Sequence, residues 1–100
     1  MAFYTIHPRE INTIITQKHA VVVDVRGRED YMEYHFKNAV NIPYSEDECW
    51  IKNFSKRRVW ILYCEHGGAS LFAARRLGKA GFEVYTVVGG ARALEEYFYN

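Results

Sequence analysis

Val59-Trp60-Ile61-Leu62-Tyr63, followed without a break by Cys64-Glu65-His66-Gly67-Gly68-Ala69 and then by Ser70–Ala80, is the stretch on which the fold turns. The first five residues are apolar or aromatic and read as a buried strand. In the last run Leu71, Ala74 and Leu77 recur at helical spacing and are expected to face inward, and Gly81 stands where a helix stops on a left-handed residue. Between the two, a cysteine ends the strand and opens a short turn with two glycines. Backbone N–H groups converge at such a turn, and together with a helix N-terminus they favour negative charge. The thiolate is the reactive form of cysteine, so this is a place to build a nucleophile or a cradle for a charged sulfur adduct.

The pattern repeats outward in both directions. Phe3–Thr5 reads as a short edge strand, and Pro8 suits the first position of a helix whose Ile11, Ile14 and Ile15 share one face. Ala20–Val25 is β-branched and unbroken, which predicts a central strand buried on both faces. Glu29 and Asp30 suit the first turn of the next helix, on which Tyr31 and His35 share a face. Ala39–Ile42 reads as a short strand closed by Pro43. Ser45 with Glu48 is a capping box, with Tyr44 and Cys49 as its staple and Trp50, Ile51 and Phe54 facing the core. Glu83–Val88 is a further strand, Gly89-Gly90 a turn, and Ala91–Tyr99 a last helix. Strands separated by helices imply parallel pairing. The expected fold is α/β: a single domain over residues 1–100, with a mainly parallel central sheet of about five strands and helices on both faces. Sites in such sheets gather at the carboxyl ends of the strands, which places Cys64, Arg26 and Gly89 on one edge.

Composition narrows the function. A hydrophobic share of 49% with 25% charged residues is a globular balance and speaks against disorder. The net charge of +1 gives no basic field for nucleic acid, and the basic runs Lys56-Arg57-Arg58 and Arg75-Arg76 are short. No apolar run reaches membrane-spanning length, and the first residues lack a signal-peptide profile, so a cytoplasmic location is expected. Two cysteines, Cys49 and Cys64, read there as free thiols. The histidines are scattered and no paired-cysteine motif exists, so neither a metal site nor a cofactor is expected.

Taken together, Val23-Asp24-Val25-Arg26, Tyr31 with His35, Ala39-Val40-Asn41-Ile42-Pro43, Tyr63-Cys64-Glu65-His66-Gly67-Gly68-Ala69-Ser70 and Val87-Val88-Gly89-Gly90 resemble the rhodanese homology domain, in order and spacing, over nearly the whole chain. The resemblance implies a sulfurtransferase in which the active cysteine takes a sulfane sulfur from a donor such as thiosulfate. The sulfur is held as a persulfide and passed to a thiol or to cyanide. Cys64 matches the active cysteine, and Glu65, His66, Gly67, Gly68, Ala69 and Ser70 match the substrate-binding loop. The chain departs from the family pattern at four places. Tyr34 and Asn38 stand where glycines are common, Ala69 where the loop often carries arginine, and Leu94 is the nearest large residue after the glycine pair, where an aromatic often follows. The loop is left with Glu65 as its formal charge and His66 as its only candidate cation. That weighs against tight thiosulfate binding more than against persulfide chemistry.

Each position also has a bland reading. Cys64 alone would read as a small buried residue, and it is the loop and helix after it that favour a reactive role. Arg26 is read first as a brace for the strand end and second as a pocket-rim contact, with Asp24 structural. His66 reads as a solvated loop residue and Glu65 as an exposed carboxylate that repels anionic donors. Cys49 reads as a staple residue, with a resolving role the alternative. A phosphatase or arsenate-reducing relative is disfavoured, because its oxyanion clamp needs an arginine six residues after the cysteine, where Ser70 stands. The remaining alternative is a non-catalytic or weakly active binding or sulfur-carrier module, motivated by Ala69 and by the tail Tyr97-Phe98-Tyr99. The partners expected are a small-molecule sulfur donor and an unidentified thiol or protein acceptor, with no nucleic acid or membrane and with a monomer or weak homodimer.

Overall fold

The computed structural model describes residues 2–99, so Met1 and Asn100, which the single-domain expectation includes, lie outside the described residues. Its strands are β1 (Tyr4–Ile6), β2 (Val21–Asp24), β3 (Val40–Asn41), β4 (Trp60–Tyr63) and β5 (Val84–Val87). They alternate with helices α1 (Ile11–Lys18), α2 (Arg28–Glu33), α3 (Gly68–Lys79) and α4 (Gly90–Tyr99). Two 3-10 turns, Pro8–Glu10 and Glu48–Asn53, complete the elements. The strands form one sheet in the order β1-β5-β4-β2-β3, and every neighbouring pair is parallel.

Alternation along the strands builds a core on each face of this sheet. On one side Val23, Leu62 and Val84 meet Ala73, Ala74 and Leu77 of α3 and Trp50 and Phe54 of the second 3-10 turn. On the other, Val22, Ile61 and Val87 meet Ile11 of α1 and Ala91 and Leu94 of α4. Burying a side chain such as Leu77 or Leu94 contributes about 1.5–3 kcal/mol. Of the expected strand Ala20–Val25 the structure pairs Val21–Asp24, buried from Val22 onward; it is an inner strand, and β4 is the middle one.

Several local expectations are corrected. Helix α3 begins at Gly68 and turns Ser70, Ala73, Ala74 and Leu77 inward. Leu71 therefore falls on the outer side, 43% exposed, beside Phe72 at 65%. Ser45 caps nothing. The Asp47 carboxylate accepts from the Cys49 N–H at 2.8 Å and starts the turn two residues later, while the Ser45 hydroxyl accepts from the Asp47 N–H. That shift leaves Cys49 exposed and free, with no part in a staple. Tyr44 instead sets its ring edge-on to Trp50 at 5.0 Å. In the tail, Phe98 packs against Phe36 at 5.5 Å, while Tyr97 and Tyr99 remain exposed. Asn38 takes a φ of 69°, the left-handed conformation that asparagine tolerates.

The start of α4 fixes the end of β4. The Ala91 N–H donates to the Cys64 carbonyl at 2.6 Å and the Arg92 N–H to the Glu65 carbonyl at 3.2 Å. Only glycine lets the two backbones come this close. A Cβ on Gly90, whose φ is 63°, would lie 2.3 Å from the Cys64 carbonyl oxygen and 2.7 Å from that of Glu65. Gly90→Ala is expected to cost about 1–3 kcal/mol or more, measured by urea unfolding, because backbone strain and a backbone clash act together. Gly27→Ala, where a Cβ meets nothing within 4 Å, is the control expected to leave the midpoint nearly unchanged.

Candidate active site

The carboxyl ends of β2 and β4 lie side by side, joined where the Val25 N–H donates to the Tyr63 carbonyl at 2.9 Å. This contact sets Arg26 next to Cys64. The Arg26 guanidinium donates from Nε to Asp24 Oδ1 at 3.0 Å and from one terminal nitrogen to Asp24 Oδ2 at 2.8 Å and the Tyr34 carbonyl at 2.5 Å. Its other terminal nitrogen donates to Glu65 Oε1 at 2.9 Å. Asp24 is wholly buried and the Arg26 side chain only 8% exposed. Burial opposes the charge on Arg26, but the hydrogen bonds to Asp24 and Glu65 outweigh it and hold the guanidinium above its ordinary value. Arg26 is thus a brace for the strand end, and Asp24 is structural.

A second brace comes from Asn41. Its side-chain amide donates to the Asp24 carbonyl at 3.0 Å and the Arg26 carbonyl at 2.9 Å, tying β3 to the same bend. Tyr63 adds a third, its buried hydroxyl accepting from the Phe36 N–H at 2.9 Å. Tyr31 and His35 stack at 3.8 Å, and Tyr31 donates to the Ala39 carbonyl at 2.7 Å. They shape the approach to β3, and neither lines the pocket at Cys64.

Cys64 is 5% exposed, and its Sγ accepts from the Gly67 N–H at 3.1 Å. Gly67 has a φ of 109°, and a Cβ there would come within 3.2 Å of the Gly89 nitrogen, so the turn around the sulfur depends on this glycine. Cys64, Glu65, His66, Gly68 and Ala69 line an open pocket of about 340 Å³, with Arg26 and Asp30 across from them. Gly68 and Ala69 open α3, so their N–H groups have no acceptor within the helix. A larger cavity of about 450 Å³ lies between α1, the start of β2 and the end of α4, and contains no cysteine.

Ser70, expected in the substrate loop, does not line the pocket. It is wholly buried, accepts from the Thr86 hydroxyl at 2.9 Å and donates to the Gly67 carbonyl at 3.3 Å. Its work is to hold the turn from beneath. Glu65 is also not a free carboxylate. It is 41% exposed and lies 2.9 Å from Arg26 and 3.8 Å from Arg92. His66 is exposed. Asn41, Thr86, Asp30 and Arg92 were not singled out for the site from the sequence. For Asp30 and Arg92 the available signal was proximity in chain to Arg26 and to Gly89-Gly90, which the strand order brings to one edge.

The profile of the rhodanese-like domain matches residues 7–96, and this chain belongs to that family. It is 30% identical over 91 residues to the thiosulfate sulfurtransferase GlpE of Coxiella burnetii, covering 90% of this chain and 85% of the relative. It is 29% identical over 80 residues to a tRNA sulfurtransferase of Pyrobaculum aerophilum, covering 80% of this chain but only 16% of that much longer protein. Among solved structures, a rhodanese-related protein from Thermoplasma volcanium superposes with a TM-score of 0.85 at 28% identity, covering 97% and 95% of the two chains. No helix among the described residues is long and apolar enough to cross a membrane.

Two outcomes follow from these braces. Asp24→Ala strands a buried guanidinium and is expected to cost about 3–5 kcal/mol in urea unfolding, with a smaller loss in the double variant Asp24→Ala/Arg26→Met. Burial also pushes the Tyr34 phenol up to about 12, and its hydroxyl is buried with no hydrogen-bond partner. The fold therefore favours the neutral phenol. That contribution is whole below the ordinary tyrosine value of about 10 and is lost as pH rises toward 12. The urea midpoint should fall over this range, less steeply in Tyr34→Phe, which should be as stable as the parent at pH 7.

Proposed function

We propose that the protein is a sulfurtransferase that carries sulfane sulfur as a persulfide on Cys64. The observation that carries the reading is the position of Cys64 Sγ, bonded to the Gly67 N–H at the mouth of α3 and lining an open pocket. In the first half-reaction the Cys64 thiolate attacks the outer sulfur of a donor such as thiosulfate. The donor S–S bond breaks, its electron pair leaves on sulfite, and the sulfur stays on Cys64. In the second, a thiol or cyanide attacks that sulfur and the Cys64 thiolate is released. Converging N–H groups of the turn and the helix start stabilise the anionic sulfur in both states. Neither half-reaction needs a metal or a cofactor, and two free cysteines suit a reducing compartment such as the cytoplasm.

The second reading is a non-catalytic or weakly active module, and the observation that favours it is the 5% exposure of Cys64. Intact-protein mass spectrometry after incubation with thiosulfate separates the two. One added sulfur on the parent, absent from Cys64→Ser and removed by cyanide, is expected. A parent that acquires no sulfur from thiosulfate or from a low-molecular-weight persulfide would favour the module.

A further inference from the structure

The geometry points to Glu65 as the residue that sets the charge preference for the donor: it makes the Cys64 pocket take dianions such as thiosulfate less readily than donors whose far end carries a positive charge. This rests on the sulfur-carrier reading of Cys64. A guanidinium has five N–H donors in a fixed fork. On Arg26 the Nε–H and both N–H groups of one terminal nitrogen are taken by Asp24 and the Tyr34 carbonyl. The other terminal nitrogen has two N–H groups, and one of them donates to Glu65 Oε1 at 2.9 Å, so a single Arg26 N–H is left for a ligand and it has the carboxylate beside it. Glu65 Oε2 meanwhile lies 3.8 Å from Arg92, the other cation at this edge. One carboxylate therefore engages both arginines. Ala69, in the first turn of α3, brings no charge of its own to the lining.

On the other side of Glu65 lies a second cavity of about 430 Å³, and Arg26, Asp30 and Glu65 line both. Across the two, Arg26 and Arg92 face four carboxylates, Asp30, Glu33, Glu65 and Glu95, which leaves two negative charges in excess. A doubly charged donor enters this trough against the field. A donor of the form ⁺H₃N–R–SO₂–S⁻ enters with its sulfur toward Cys64 and its ammonium among the carboxylates. The chemistry is unchanged: the Cys64 thiolate bonds to the outer sulfur, the S–S bond breaks, and the electron pair leaves on the sulfinate.

The test is a ladder of donors that share this reaction and differ in charge: thiosulfate, methanethiosulfonate and 2-aminoethanethiosulfonate. Each is read by persulfide formation on Cys64 and by kcat/KM with cyanide as acceptor. In Glu65→Gln the preference for the aminated donor over thiosulfate should fall by on the order of tenfold, the effect of one unit charge a few ångströms from a partly exposed site. Glu65→Ala, which frees the Arg26 nitrogen altogether, should shift it further toward thiosulfate. Intrinsic donor reactivity cancels in the comparison between variants. A second measurement needs no variant: added salt should raise kcat/KM for thiosulfate and lower it for the aminated donor. A sulfur adduct on Cys64 with a donor preference that neither Glu65→Gln nor salt alters would overturn this inference and leave the sulfur-carrier reading standing. No adduct with any donor would overturn both.

Discussion

The first turn of α4 lies against the backbone of Cys64 and Glu65, and the site depends on that contact. Two N–H groups of the helix are given to the two carbonyls that begin the loop. The loop therefore leaves the sheet in one direction, and Gly67 can bring its own N–H to the sulfur. Nothing larger than glycine at position 90 permits the approach. The other supports work around this junction: Asp24 at the end of β2 and Arg26 just after it, Asn41 from β3, and Thr86 through Ser70 from β5. Three strands and two helices thus converge on six residues of loop. The loop itself contributes almost no apolar burial, so its shape is set by hydrogen bonds whose alternative is an unpartnered buried group.

Much of this was legible in the chain because the informative signals are local. Strand runs such as Val21–Val23 and Trp60–Tyr63 are apolar or aromatic throughout, as burial on both faces favours, and the cysteine loop is contiguous in sequence. Pro8 and Gly81 mark element ends by their own backbone limits, with Gly81 at a φ of 94°. The errors have an equally physical origin. Ala74 and Leu77 fit two facings of α3, and the facing that buries Ser70 and Ala73 with them leaves Leu71 outside. Capping is decided by which of several neighbouring oxygens reaches an N–H first, and Asp47 outcompeted Ser45. The ion pair of Arg26 with Glu65 spans 39 residues and has no sequence signature, so Glu65 read as a free surface charge.

The electrostatic character of the site therefore comes from pairing more than from composition. A net charge of +1 over the whole chain says little about a rim where one carboxylate is hydrogen-bonded to Arg26 and lies 3.8 Å from Arg92. Arg26 serves the fold first: three of its five N–H groups go to a buried aspartate and to backbone, and a fourth goes to Glu65. The loop glycines are similar in kind, since the same backbone angles that let β4, α3 and α4 meet also present N–H groups to sulfur. Structural and chemical duties rest on the same atoms.

The edge strand carries a further consequence, one of timing. Residues 4–6 pair only with residues 85–87, so the first of the five strands in chain order is completed by the last. At about 5–20 residues per second of synthesis, β1 waits on the order of 4–16 s before its partner exists. Through that interval Tyr4, Thr5 and Ile6 present unpaired backbone to whatever lies near the ribosome, in a chain whose remaining strands also pair across long separations. Three residues is a short edge, and its brevity limits what it can recruit before the sheet closes.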